Sequence, residues 1–470
     1  MYESKTNFHI SFYDYGELMK IGLIFPRYKY PTGDPPLGLL YIASFLRANS
    51  SHKVDIIDTT FHKSRKEIIH ILKTNSYDII GIYADIVMIK QVFNIAELSK
   101  RIDPDISVII GGPFATVLPS LTLKNEFVDA IVVGEGEKTI LEIMEKNLNF
   151  KGIKGVWYKN KEKINHNQIR MPIKHLDVLP FPARDLIRMN EYIKNWHQMD
   201  SVSTNLRGTN MMMSRGCTYD CSFCQPTLKK IFGQKLRIRS PENVIEEMMI
   251  LKEEYRINSI HFHDDTFILN KQWTNNLCKQ IIDNSLDLFW SCNVRANLVT
   301  RELLKYMKKA GLAKIFVGIE TANQYILDKI YNKKITIEQV KKTVKIAKEL
   351  GIKIQGYFMI GAPTETIKQI KRTIIFAKNL DLDEATFSIT TPLPGTYLYG
   401  IYKDSIKNEF ELDYYKNYPF NDIEKEKITT FLKKRAYLEF YTHPKRILKI
   451  IKMSFNPFSI QKTLNKLRRF

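Results

Sequence analysis

Ser214-Arg215-Gly216-Cys217-Thr218-Tyr219-Asp220-Cys221-Ser222-Phe223-Cys224-Gln225 holds three of the chain's five cysteines within eight residues. Cys217, Cys221 and Cys224 are spaced C-x3-C-x2-C and follow the apolar run Met211-Met212-Met213. A strand that ends in a tight loop turns such thiolates toward one point, and sulfur ligands select iron–sulfur, zinc or cuprous centres. Structural zinc takes four closed ligands, whereas the other cysteines, Cys278 and Cys292, lie far along the chain. Three thiolates on a four-iron cube leave one iron open to a substrate or cofactor, which serves chemistry rather than scaffolding.

From near residue 200 onward the pattern predicts six strand–helix units, the first strand, Asn210 to Met213, leading into this loop. The others are Ser259 to His263, ending in Asp264-Asp265; Leu288 to Cys292, followed by Arg295; Lys314 to Glu320; Lys353 to Ile360, followed by Gly361-Ala362-Pro363; and Ala385 to Ile389. Ser240-Pro241-Glu242 is a helix start, with a serine cap and proline in the first turn. Polar residues gathered at the carboxyl ends of barrel strands mark an active site. Glu320 ends an otherwise apolar strand, so a buried partner is expected for it. Cys292 is expected to be a packed core residue, as buried free cysteines usually are.

Upstream, the apolar strands Lys20 to Phe25, Val54 to Asp58, Asp78 to Ile82, Ser107 to Ile110 and Ala130 to Val133 alternate with helical segments. The fourth ends in Gly111-Gly112-Pro113 and the fifth in Gly134-Glu135-Gly136-Glu137. Continuous apolar strands between helices predict a parallel, doubly wound sheet, whose ligands sit beyond the carboxyl ends of its strands. Gly152 to Asn160 predicts a hairpin, and Arg170 to Ser201, with Pro172, Pro180 and Pro182, an irregular linker. The expected division is a Rossmann-like domain at 20–150, hairpin and linker at 151–200, a barrel at 201–397 and a helical region at 398–470.

Composition sets the outer bounds. At 470 residues, with 44% apolar and 26% charged, the chain has ample core for two or three globular domains. Five cysteines, three of them in one loop, do not form a disulfide framework, which fits a reducing cytoplasm. The net charge of +21 is spread along the chain without a zinc-finger or RNA-binding aromatic signature, so no nucleic-acid partner is expected. No basic-then-apolar signal peptide and no apolar run of roughly 18 residues is present, and Met1 to Met19 is a polar lead.

The C-x3-C-x-aromatic-x-C loop, with Phe223 as the aromatic, resembles the cluster loop of radical S-adenosylmethionine (SAM) enzymes. The resemblance implies a 4Fe-4S cluster on Cys217, Cys221 and Cys224, SAM chelated at the open iron, and reductive cleavage to a 5′-deoxyadenosyl radical. It further implies a partial (βα)6 TIM-type barrel. In that barrel Asp264 and Asp265 meet the SAM amine and Arg295 its carboxylate. Glu320 binds the ribose, and Gly356 with Gly361-Ala362-Pro363 backs the adenine. An external reductant such as flavodoxin or ferredoxin would supply the electron. Pro180-Phe181-Pro182-Ala183-Arg184-Asp185-Leu186 resembles the segment that precedes the loop in this family.

The first domain resembles the cobalamin-binding domain found ahead of many radical SAM barrels, on Pro35-Pro36-Leu37-Gly38-Leu39, Gly111-Gly112-Pro113 and Gly134-Glu135-Gly136-Glu137. In that family paired glycines such as Gly111 and Gly112 admit the cofactor's nucleotide tail close to the backbone. Here the loop Pro26 to Asp34 lacks Asp-x-His-x-x-Gly, and Phe114 stands where many relatives carry histidine. Cobalamin is therefore expected without a histidine on cobalt from that loop, or not retained. Ile428 to Tyr441, with Phe440-Tyr441-Thr442-His443-Pro444, resembles the anaerobic magnesium-protoporphyrin monomethyl ester cyclase-like branch, which groups with class B radical SAM methyltransferases.

The implied function is modification of an unactivated carbon, with cobalamin-dependent methylation as the leading expectation. The alternative is radical cyclisation or carbon–carbon bond formation on a lipid, tetrapyrrole or other small molecule. A transfer-RNA methylthiotransferase would bring an N-terminal cysteine set, and no cysteine precedes Cys217. From Phe440 to Phe470 there are eight lysines or arginines and no acidic residue. That tail makes an anionic membrane surface an expected partner, placing the enzyme in the cytoplasm or peripherally on the inner membrane face.

Overall fold

Residues 18–27, 32–62, 64–161, 163–413 and 419–447 are described by a computed structural model of the chain. Seven strands form the first sheet: β1 (Lys20–Phe25), β2 (Lys53–Asp58), β3 (Ile79–Tyr83), β4 (Ser107–Gly111), β5 (Ala130–Val132), β6 (Val156–Asn160) and β7 (Lys163–His166). Their order is β2-β1-β3-β4-β5-β6-β7, parallel through β5. The hairpin β6–β7 then extends the same sheet in the antiparallel sense. Ile79, Ile80, Val108, Ile109 and Ile110 are almost wholly buried, as strands covered by helices on both faces require. Strand order reverses between β1 and β3, which opens a crevice at their carboxyl ends.

The second sheet is built from β8 (Gly208–Met211), β11 (Ser259–Phe262), β12 (Phe289–Val294), β13 (Leu312–Glu320), β14 (Lys353–Ile360) and β15 (Glu384–Ile389). All six run parallel in the order β15-β14-β13-β12-β11-β8, a curled, partly closed barrel. Between β8 and β11 the short strands β9 (Ser214–Arg215) and β10 (Arg237–Ile238) pair antiparallel around the cysteine loop. Ser240 caps helix Pro241–Tyr255 by accepting from the Asn243 amide, as its sequence predicts.

Arg170 to Ser201 departs from its expected irregularity. It contains helix Met189–Asn195, in which Met189, Tyr192 and Ile193 recur at helical spacing and are buried. The prolines that precede it masked this short period. The segment joins the two sheets: the Tyr192 hydroxyl donates to Asp58 Oδ2 at 2.7 Å, and Trp196 Nε1 donates to Asn210 Oδ1 at 2.9 Å. Trp196 lies so close to Gly208 that a Cβ there would come within 2.1 Å of its ring. At the barrel's amino end, fully buried Lys314 donates to the Gln198 carbonyl at 2.7 Å and pairs with Glu384. In Pro180 to Leu186, Arg184 is buried and pairs with Glu247 at 2.7 Å, and Arg239 pairs with the same glutamate. Burial alone would raise the Glu247 carboxyl, but Arg239 and Arg184 hold it below its usual range.

Helix Ile423–Tyr441 covers the open edge of β15. The Tyr437 hydroxyl donates to the Phe387 carbonyl at 3.1 Å and accepts from the Phe387 amide at 3.0 Å. Tyr441 does the same for Ala385, at 3.0 and 3.3 Å. Two phenols thus stand in for a seventh strand on an edge that would otherwise offer unpaired backbone. Of the basic tail, residues beyond Ile447 lie outside the described ones. Arg446, one of its eight cations, is buried against the Phe440 ring and donates to the Leu380 and Leu382 carbonyls, so it does not face a surface. Among the described residues no helix is long and apolar enough to cross a membrane.

Replacing both Tyr437 and Tyr441 by phenylalanine strands two backbone donors, each costing about 1–3 kcal/mol. The double variant is expected to lose about 2–6 kcal/mol in urea unfolding, with each single variant losing about half. Equal midpoints for the double variant and the parent would show that water satisfies this edge.

Candidate active site

Cys217, Cys221 and Cys224 occupy one loop that is held from several sides. Asp264, just beyond β11, accepts from the Ser214 amide and the Ser214 hydroxyl, both at 2.6 Å, and from the Met213 amide at 3.2 Å. Gly216 follows with φ +98°, a left-handed conformation that glycine adopts without strain. The Ser222 amide donates to the Tyr331 carbonyl at 2.9 Å, and the Leu398 amide donates to the Ser222 carbonyl at 2.9 Å. Phe223 packs edge-on against Tyr331 with ring centres 5.4 Å apart.

Cys217 and Cys221 are buried and Cys224 half-buried. The hydrogen bond with Cys224 lowers the Cys221 thiol, with Arg295 and Lys333 acting in the same sense, while burial raises Cys217. Among the described residues no three such side chains close tightly enough to hold a single metal ion. Three thiols from one loop are the donor set a cluster needs. Cys278 and Cys292 sit in the barrel's apolar core, where burial raises both thiols, and take no part.

The residues expected around SAM lie at the carboxyl ends of the barrel strands, yet most are engaged with one another. Asp264 is occupied by the Met213 and Ser214 donors, so its task here is to shape the cysteine loop. Burial raises its carboxyl to about 7 against the pull of those donors. Asp265 stays accessible in the mouth, and the surrounding protein raises its carboxyl while His263 opposes the shift. Glu320 follows a register shift in β13 with φ +67° and is buried in an ion pair with Lys333, the partner its sequence demanded.

Arg295 donates to Cys221 Sγ at 3.3 Å and to the Lys333 carbonyl, and lies 3.5 Å over the Tyr219 ring. At Gly356 an added Cβ would meet Leu382 at 2.8 Å and Ile319 at 2.9 Å, so glycine there serves packing against β13 and the loop before β15. Gly361, at φ +78°, and Ala362 donate to Glu365 Oε2, and Lys425 donates to the Pro363 carbonyl at 2.9 Å.

A mainly apolar cavity of about 660 Å³ opens at the carboxyl ends of β1, β3, β4 and β5. It enters between the sheet, at Leu23, Gly81 and Ile109, and the helices, at Leu39, Ile42 and Ile140. Gly112 has φ +102°, and a Cβ there would meet the Ala84 carbonyl at 2.8 Å. Gly111 differs: a Cβ would meet nothing nearer than Val132 at 3.9 Å and would project where the cavity needs room. The far wall comes from the barrel side, through Asn210, Met212, Arg215 and His263. Phe114 is buried, its ring centre 6.3 Å from that of Phe410. Of the described residues lining the cavity, the histidine is His263, which the sequence did not single out.

The two sites share a wall. Arg215, next to Gly216, is buried and donates to Glu135 at 2.9 Å and to Glu137 at 2.6 Å. Arg237, opposite Arg215 in the β9–β10 pair, reaches Glu135 at 2.8 Å. Glu135 also accepts from the Ile173 amide at 2.7 Å. Burial would raise the Glu135 carboxyl, but the two arginines hold it below its usual range. Gly134-Glu135-Gly136-Glu137, expected as a cofactor loop, is therefore also the clasp between the first sheet and the cysteine loop. An acidic pair beyond β5 and an arginine before Gly216 were the available signals.

Comparison with known proteins agrees with this layout. A family model described as the radical SAM superfamily matches residues 211–377, and one for the B12 binding domain matches residues 31–144. The chain is 36% identical over 472 residues to an uncharacterized methyltransferase of Pyrococcus horikoshii, covering 96% of this chain and 99% of that one. It is 27% identical over 402 residues to the anaerobic magnesium-protoporphyrin IX monomethyl ester cyclase of Rubrivivax gelatinosus, covering 83% and 71%. In fold it is similar to the cobalamin-dependent S-adenosylmethionine radical enzyme OxsB, solved with aqua-cobalamin bound. The TM-score is 0.75 at 19% identity, over 96% of this chain and 72% of that one.

Replacing Arg215 by methionine leaves the Glu137 charge buried, and breaking such a pair costs about 3–5 kcal/mol. Arg47→Met, which removes an exposed pair with Asp185, should cost about 0–1 kcal/mol. Urea unfolding of the two variants side by side checks the contrast. Similar losses would mean that the clasp is solvated.

Proposed function

Because this chain belongs to the radical SAM superfamily, among the members that carry a B12 binding domain, we propose that it methylates an unactivated carbon of a small or lipid-soluble molecule. The observation that carries this reading is the common wall: Arg215 borders the cavity of the first sheet and sits two residues before Cys217. Cys217, Cys221 and Cys224 would hold the 4Fe-4S cluster, and Gly111 with the slot beside Gly81 would admit cobalamin. When bound, the cluster and SAM supply a radical that activates carbon, and cobalamin supplies the methyl group.

The chain's own residues provide placement and exclusion of water. Asp264 fixes the first turn of the cysteine loop, and the Arg215 clasp fixes its distance from the cavity. Asp265 is the carboxylate left accessible for the SAM amine, while Glu320 and Lys333 are paired with each other beside Phe223 of the cysteine loop. His263 stands on the cavity wall from the barrel side and is the group available to a polar part of the substrate. A low-potential carrier such as flavodoxin or ferredoxin fits as electron donor in the cytoplasm. The basic tail beyond Ile447 would bring the mouth near an anionic membrane face if the substrate is a lipid.

Two variants separate the two cofactor sites in anaerobically reconstituted protein. The triple alanine variant of Cys217, Cys221 and Cys224 is expected to lose its iron and its cleavage of SAM to 5′-deoxyadenosine while retaining cobalamin. Gly111→Leu is expected to keep iron and lose at least tenfold in cobalamin affinity. Full cobalamin retention by Gly111→Leu would remove this cavity as the corrinoid site, and undiminished iron in the triple variant would remove the cluster assignment.

A further inference from the structure

Arg295 is 7% exposed, buried like Arg184, Arg215 and Arg239 at 4% each. Each of those three faces a glutamate. The polar partners that the described residues give Arg295 are instead the Cys221 sulfur at 3.3 Å and the Lys333 carbonyl, and its Nε has none. The Tyr219 ring, 3.5 Å from the guanidinium carbon, closes one face. A buried cation without an anion is costly, so a standing negative charge belongs beside it. The nearest group able to carry it is the Cys221 sulfur, which accepts from the guanidinium at 3.3 Å. The neighbouring Lys333 ammonium is cancelled by Glu320, which leaves the guanidinium as the unbalanced positive charge at this thiolate.

We propose that Arg295 acts through Cys221 to set the reduction potential of the cluster, an inference that rests on the cluster assignment of Cys217, Cys221 and Cys224. Reduction brings in one electron from the external donor, makes or breaks no bond to the protein, and leaves the cluster one charge more negative. A cation donating N–H to a cluster thiolate stabilises that added charge, and hydrogen bonds to cluster sulfurs and net charge set such potentials. Arg295 therefore raises the midpoint potential and brings the cluster within reach of its reductant. This is a different task from the expected pairing with the SAM carboxylate, and the two are separable because the potential can be measured without SAM.

The test is an anaerobic redox titration, followed by paramagnetic resonance of the reduced cluster, on reconstituted protein free of SAM. Arg295→Gln keeps an amide donor and removes the charge; Arg295→Lys keeps a charge but loses the fork. Both are expected to hold full iron with midpoints shifted to more negative potential, further for glutamine than for lysine. An unchanged midpoint in whichever variant keeps its iron overturns the proposal, and a weaker SAM affinity in that variant would return Arg295 to the carboxylate. Loss of iron from both variants overturns it in favour of a purely structural role. Parent protein that takes up no cluster would refute the cluster assignment itself, a result distinct from all of these.

Discussion

The relation between the two sheets rests on a guanidinium buried between two carboxylates. Arg215 meets Glu135 and Glu137 at 2.9 and 2.6 Å, with all three side chains at most 6% exposed. Removing such charges from water is expensive, and only good geometry with further hydrogen bonds compensates. Arg237 and the Ile173 amide supply those bonds on Glu135. The contact is directional where an apolar seam would slide, so it sets the register of the cysteine loop against the end of β5. The Glu247 knot with Arg184 and Arg239 repeats the device on the connecting segment. Two ionic knots, rather than one continuous apolar core, orient the barrel on the first sheet.

Within the mouth, polar side chains mostly satisfy one another. Asp264 answers backbone amides, Glu320 answers Lys333, and Glu365 answers the amides of Gly361 and Ala362. Burial raises Asp264 and Glu365 to about 7, well above the ordinary carboxylate range. Asp265 and His263 remain turned to open space. The rigid groups define the shape of the site, and the open ones are left to meet what enters it.

Both sheets were legible from strands of isoleucine and valine, and the cysteine loop from its spacing, because these signals are local. The tasks of individual polar residues were not, because they depend on distant partners. Asp264 lies 50 residues from Ser214 in sequence, and Glu137 lies 78 from Arg215. Glu320 announced only that a partner was needed; Lys333 lies 13 residues on, beyond the short helix Ile326–Ile330, and nothing local links the two. Helix Met189–Asn195 was hidden by the prolines of the segment before it and by its length of two turns. His263 follows directly on β11, whose residues are all buried, so nothing in its neighbours marked it.

The phenol-capped edge of β15 has a consequence for synthesis. Strand Glu384–Ile389 leaves the ribosome before helix Ile423–Tyr441 exists, so for that interval the barrel ends in an open row of backbone donors and acceptors. A nascent chain paused there is a template for another strand, and the exposure ends only when Tyr437 and Tyr441 emerge. Order of emergence therefore places closure of the barrel last, after every cysteine of the loop has been made.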